Sequence, residues 1–197
     1  MSDGVDHSKR RTLTIAAGAA GGVGAAFTAV PFVASMLPSA KAQAAGAPVE
    51  IDVSKLEPGQ RITAEWRGKP VWVIRRTSAQ LKGLDELTSQ VRDPNSELPM
   101  QPDYAENSYR SIKDEYVVLV GICTHLGCSP TFRPDVAAAD LGEDWKGGFF
   151  CPCHGSKFDL AGRVYNGVPA PKNLEVPRHK FTSDTVILVG ADDQGVA

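Results

Sequence analysis

Cys151-Pro152-Cys153-His154-Gly155-Ser156 and its earlier counterpart Cys123-Thr124-His125-Leu126-Gly127-Cys128 are the stretches on which the reading of this chain turns. All four cysteines and two of the four histidines fall in these two boxes. Thiols and imidazoles gathered at such short spacing are soft metal ligands by chemistry, and ordinary core packing does not collect them this way. Each box offers a Cys/His pair, Cys123-x-His125 and Cys151-x-x-His154, and then one further cysteine. A structural zinc site also takes two Cys and two His, but its usual spacing pairs like with like. The mixed boxes depart from that spacing, so zinc is the bland alternative here.

Composition narrows the rest. With 197 residues, 42% of them hydrophobic, the chain has room for one ordinary domain and an accessory segment. The formal net charge is -2, and no basic run occurs beyond the first dozen residues, so no nucleic-acid partner is expected. Nineteen glycines and fourteen prolines favour strands and loops over a helical bundle. A small loop-rich domain usually needs a cross-link or a metal for stability. Neither a catalytic triad nor a phosphate loop is visible, and the glycine-rich run 18–24 belongs to an apolar span.

Residues 1–11 are polar and end in Ser8-Lys9-Arg10-Arg11. The stretch 12–38 carries no charge and exceeds the roughly 20 residues that cross a bilayer as one helix, so it is expected to be a single transmembrane anchor. Gly18 and Gly22 form a small-xxx-small pair, and Pro31 is expected to kink the helix. The positive cluster ahead of the span keeps the N-terminus cytoplasmic and puts the bulk of the chain on the other side. Arg10-Arg11 before Thr12-Leu13 has the form of a twin-arginine export signal, which serves proteins that fold before export. Cleavage after the Ala-rich triplets near 40–44 is the competing reading. Residues 39–48 lack apolar periodicity and read as a linker or hinge.

From 49 onward the pattern is mainly β. Alternation predicts strands over 49–53, 61–66 and 70–75, with a turn at Arg67-Gly68-Lys69, and a short helix over 78–87. The proline-rich 93–108 is expected to be a solvated connection. The run 115–122 is the most strand-like and leads into the first box. Residues 134–148 read as a surface excursion, 148–150 as a strand into the second box, and 156–165 as a hairpin. Further strands are expected at 174–176 and 185–189, with the last eight residues frayed. His7 and His179, outside both boxes, are expected at the surface.

CTHLGC and CPCHGS together resemble the paired boxes of the Rieske iron–sulfur proteins. The resemblance implies an antiparallel β head, 49–197, whose cluster-binding subdomain carries boxes 121–130 and 149–158. It also implies a [2Fe–2S] cluster with Cys123 and Cys151 on one iron and His125 and His154 on the other, and a loop-bridging disulfide between Cys128 and Cys153. Ser156 matches a serine that donates to a cluster sulfide. Phe158 stands where quinol-oxidising members commonly have a tyrosine donor. Leu126 and Gly127 match the apolar tip that docks beside the quinol. His154 and His125 would accept the proton that accompanies the electron.

Twin-arginine anchor, hinge, head and the proline loop 167–171 are together similar to the Rieske subunits of bacterial cytochrome bc1 complexes, quinol–cytochrome c reductases. That likeness implies cytochrome b and cytochrome c1 as partners, ubiquinol as substrate, and a dimeric complex. It also implies contact with membrane lipid and a single-pass place in the bacterial inner membrane, head on the periplasmic side. The alternative is the small Rieske subunit of an exported oxidase such as arsenite oxidase; a soluble dioxygenase ferredoxin fits less well, because it lacks the extra cysteines and the span.

Overall fold

The computed structural model describes residues 4 and 6–196, so the expectations for the extreme N-terminus and for the last residue lie partly outside the described residues. The chain divides into two compact units, 1–44 and 45–197.

In the first unit α1 runs His7–Ser35, and no residue of it is buried. Asp6 caps it by accepting the N–H groups of Ser8 and Lys9 at 3.0 and 3.1 Å. The helix therefore starts before the charge-free stretch and takes in Lys9, Arg10 and Arg11. At 29 residues it is long and apolar enough to cross a membrane. Pro31 lies inside it. The expected featureless linker contains a short helix, α2 (Ala40–Ala45). Its alanines are strong helix formers, and the Ser39 hydroxyl accepts the Ala42 N–H at 3.2 Å.

The second unit is built from β1 (Val49–Asp52), β2 (Arg61–Trp66), β3 (Lys69–Arg75), α3 (Ser78–Glu86), β4 (Tyr116–Val120), β5 (Thr131–Arg133), β6 (Gly148–Phe150), β7 (Lys157–Asp159), β8 (His179–Ser183), β9 (Val186–Val189), β10 (Ala191–Asp192) and β11 (Gly195–Val196). They pair antiparallel as three three-stranded sheets, β1-β9-β8, β2-β3-β4 and β5-β6-β7, with β10-β11 as a small hairpin. The β2–β3 turn is the two-residue loop Arg67-Gly68, both at positive φ (52° and 69°), which suits the twist of a tight hairpin.

The middle sheet is a wall shared by two cores. Val71 and Val73 of β3 and Val118 of β4 face Ile51, Ile187 and Val189. Trp72, Ile74, Val117 and Leu119, the alternate residues, face Phe149, Phe158, Cys123 and Cys151. Burial on both faces explains why β3 and β4 read as continuous apolar runs instead of alternating ones. Trp72 stacks on Phe149 with centroids 4.8 Å apart, joining the wall to the β5-β6-β7 sheet.

Several expectations are corrected. Residues 174–176 form no strand: the Val120 N–H donates to Glu175, while the Leu174 and Val176 N–H groups donate to Gly162 and Met100, so no single ladder forms. The last residues are not frayed throughout, since β10 and β11 pair and Ala191 and Asp192 are buried. His179 is buried, not at the surface. It opens β8, and its Nδ1 lies 2.8 Å from the Pro177 carbonyl oxygen while its ring meets Tyr104 edge-on. The connection 93–108 is not simply solvated, because Asp93, Ser96 and Ala105 are buried in it. The excursion 134–148 is pinned by the buried Trp145, whose Nε1 donates to the Arg133 carbonyl.

Candidate metal centre

Both boxes fold by the same device. In the first, the Cys123 N–H donates to the Cys128 carbonyl at 2.7 Å and the Gly127 N–H returns to the Cys123 carbonyl at 3.0 Å. In the second, the Cys151 N–H donates to Ser156 at 2.8 Å and Gly155 returns to Cys151 at 2.9 Å. The glycine four residues after each leading cysteine sits at positive φ, 83° for Gly127 and 75° for Gly155. A side chain there is disfavoured by the backbone itself, so glycine is what lets each loop close. The first loop leaves β4 and the second leaves β6, which bring the leading cysteines together in one core.

The candidate ligands separate by depth. Cys123 and Cys151 are free thiols, each 2% exposed. Burial pushes the Cys151 thiol up, and a hydrogen bond with the neighbouring Cys123 adds to the rise. His125 is half-buried and His154 exposed; their rings meet edge-on at 4.8 Å. Cys128 and Cys153 are joined as a disulfide that ties the two loops, with Cα atoms 6.7 Å apart. The sulfurs of Cys128, Cys151 and Cys153 also lie within 4.8 Å of one another, but two of the three are committed to the disulfide and have no thiolate to offer.

Two contacts fasten the proline loop beneath the boxes. Ser156, fully buried, accepts the Ala170 N–H at 3.0 Å through Oγ. The Thr124 hydroxyl donates to the Lys172 carbonyl at 2.6 Å. Neither partner was legible beforehand: the backbone groups of Ala170 and Lys172 carry no sequence signal, and only the proline loop itself hinted at a role. Phe158, fully buried, shares the core with Cys123 and Cys151 and brings no polar atom to it. Tyr165 lies elsewhere, stacked on Trp145.

This donor set fits a two-iron cluster. Two adjacent buried thiols would be costly as thiolates unless a metal took their charge, and the same two loops carry two imidazoles nearer the surface. Residues 48–179 match the family model described as Rieske [2Fe-2S] domain. The chain belongs to the Rieske iron–sulfur family. Within that family, residues 1–39 match the N-terminal segment described as the ubiquinol-cytochrome c reductase Fe-S subunit TAT signal. The chain is 58% identical over 97% of its length, and 92% of the relative's, to the ubiquinol-cytochrome c reductase iron-sulfur subunit of Allochromatium vinosum. It is 42% identical to the subunit of that name from Bradyrhizobium diazoefficiens, covering 94% of this chain and 96% of the relative. A chain of a solved hyperthermophilic respiratory Complex III matches at 30% identity and TM-score 0.49, covering 88% of this chain and 98% of that one. The Rieske subunit of an exported oxidase is not favoured by these relatives.

Proposed function

We propose that this chain is the membrane-anchored electron-transfer subunit of a quinol–cytochrome c reductase, accepting an electron from ubiquinol and passing it to cytochrome c1. The observation that carries the reading is the pair of matched loops, with two thiols turned inward, two imidazoles outward, and a disulfide across them. In this reading Cys123 and Cys151 bind one iron and His125 and His154 the other. A bound [2Fe–2S] cluster supplies one-electron redox chemistry, at roughly −150 to +300 mV when two imidazoles replace two thiolates.

The chain's own groups do the rest. With an iron held at one ring nitrogen, His154 would turn its other ring nitrogen toward the quinol and, in the form lacking a proton there, accept the quinol's proton at that atom; His125, half-buried, would do the same. Leu126, 71% exposed, and Gly127 form the apolar tip that docks beside the quinol. Ser156 keeps its hydroxyl proton available for a cluster sulfide, because its Oγ already serves Ala170 as an acceptor. The Cys128–Cys153 bridge holds the loops in register against each other.

A cleft on the head of about 510 Å³, lined by Trp66, Met100, Tyr104 and Arg178 among others, contains no residue of either box. A quinol pocket is accordingly completed by cytochrome b, and cytochrome c1 is the second partner, in a dimeric complex in contact with membrane lipid. Residues 12–38 anchor the chain in the bacterial inner membrane with 1–11 in the cytoplasm; 39–48 act as the hinge and 49–197 as the periplasmic head. Purification from membranes tests the reading. The expected result is co-purification with b- and c-type cytochromes and the EPR signal of a reduced mixed-ligand cluster. Zinc in place of iron, or no cytochromes, would overturn it.

A further inference from the structure

The segment 159–163, just beyond the second box, is enclosed by buried guanidinium groups. Arg76, Arg110 and Arg163 are each at most 2% exposed. Arg163 pairs with the buried Asp159, Nε to Oδ2 at 2.7 Å, and its Nη2 donates to the Leu84 carbonyl at 2.7 Å. Arg110 donates to no carboxylate among the described residues, although Asp159 and Asp93 act on it through space: its Nη1 donates to the carbonyls of Ala161 and Gly162, and its Nη2 to the Met100 carbonyl and to Gln101 Oε1 at 2.9 Å. Arg76 likewise donates only to neutral groups, the Asp114 and Tyr109 carbonyls and the Ser111 hydroxyl. The second buried carboxylate in this region, Asp93, is occupied by the Glu97 and Leu98 N–H groups and the Asn173 amide. Three buried cations thus stand against two buried anions. Desolvation lowers the Arg76 and Arg110 guanidiniums to about 10, which still leaves both charged at neutral pH.

This charge borders the core that holds the thiols. A Cβ placed on Gly162 would meet Leu119 Cδ2 at 2.9 Å and Arg110 Nη1 at 3.2 Å, so the two side chains flank one point. Leu119 shares its core with Cys123 and Cys151. The reduced centre carries one more negative charge than the oxidised one, and a buried field is screened far less than a surface one. We propose that the buried arginine set, whose cations outnumber the carboxylates buried with them, is a fixed positive field that favours the reduced iron–sulfur centre. The inference rests on the ligand assignment above. It gives this chain a source of positive potential that Phe158, which has no hydroxyl, does not provide.

The test adds a carboxylate without adding volume. Gln101→Glu is isosteric, lies at a half-buried position and places a negative charge beside Arg110, while giving up the amide's donation to the Ser96 and Leu98 carbonyls, a loss that a melting curve reads separately. Gln194→Glu, at an exposed position, adds the same charge in the open as a control. Both are measured in membranes carrying the full chain, by redox titration of the EPR signal. The wild-type signal tests the ligand assignment separately, before any variant is compared. Gln101→Glu is expected to keep the signal's g-values and to lower the reduction equilibrium constant about three- to tenfold, tenfold being about 59 mV for one electron. Gln194→Glu is expected to leave it nearly unchanged. Arg110→Lys, which keeps the charge, is expected to stay closer to wild type than Arg110→Gln. An unchanged or raised potential in Gln101→Glu, or an equal fall in the control, would overturn the proposal.

Discussion

Phe158→Tyr adds one hydroxyl at the point where this chain departs from the pattern of its family. Phe158 is fully buried, paired with Phe149 across β6 and β7, and in the same core as the Cys123 and Cys151 thiols proposed as ligands. A new hydroxyl that finds no partner there costs about 1–3 kcal/mol, and forcing extra volume into a packed core costs a similar amount. A hydroxyl that reaches a ligand sulfur instead gains a charge-assisted hydrogen bond of about 1.5–3 kcal/mol. Only the part of that gain that differs between oxidation states moves the potential. A difference of about 1 kcal/mol, strengthening toward the more negative reduced state, corresponds to roughly 40 mV for one electron. The expected outcome is therefore an upward shift of a few tens of millivolts with little loss of thermal stability. An EPR-monitored redox titration beside a melting curve reads both quantities. A normal cluster signal with an unchanged or lower potential would refute the reasoning.

Ser156→Ala removes the acceptor of the buried Ala170 N–H, and is expected to cost about 1–3 kcal/mol and to lower the potential as well; thermal unfolding and the same titration measure the two effects. Asp159→Ala leaves Arg163 as an unpaired buried charge, with an expected loss of about 3–5 kcal/mol in chemical denaturation; a loss below about 1 kcal/mol would show the pair to be dispensable. Burial lowers the His179 pKa, so the unfolded chain binds a proton near pH 6.5 that the folded chain resists. Stability is then expected to fall as pH drops through 6.5, and His179→Gln to flatten that slope in melting temperatures taken between pH 7 and 5. A slope that survives the substitution would assign it to other groups.

Much of this was open to reading along the chain because the signals are local. A long charge-free stretch, β alternation with tight turns, and thiols beside imidazoles each depend on residues a few positions apart. The first three strands and α3 fall within a residue or two of their expected places for that reason. The segment 174–176 misled because its buried leucine and valine resemble a strand, whereas its backbone bonds go to β4, to Gly162 and to Met100. His179 misled because an isolated histidine carries no mark of burial; the register of β8 put it inside.

By itself the sequence determined the two boxes, their glycines and the apolar span, since ligand chemistry, backbone freedom and hydrophobicity are properties of short stretches. The family resemblance already paired Cys128 with Cys153, and the tertiary structure shows that bridge and puts Cys123 and Cys151 deep beside it. The tertiary structure alone put Ser156 against Ala170, and gathered Arg76, Arg110 and Arg163 around one turn. Those relations join residues far apart in the chain, and burial and charge balance arise only once the chain has closed around them.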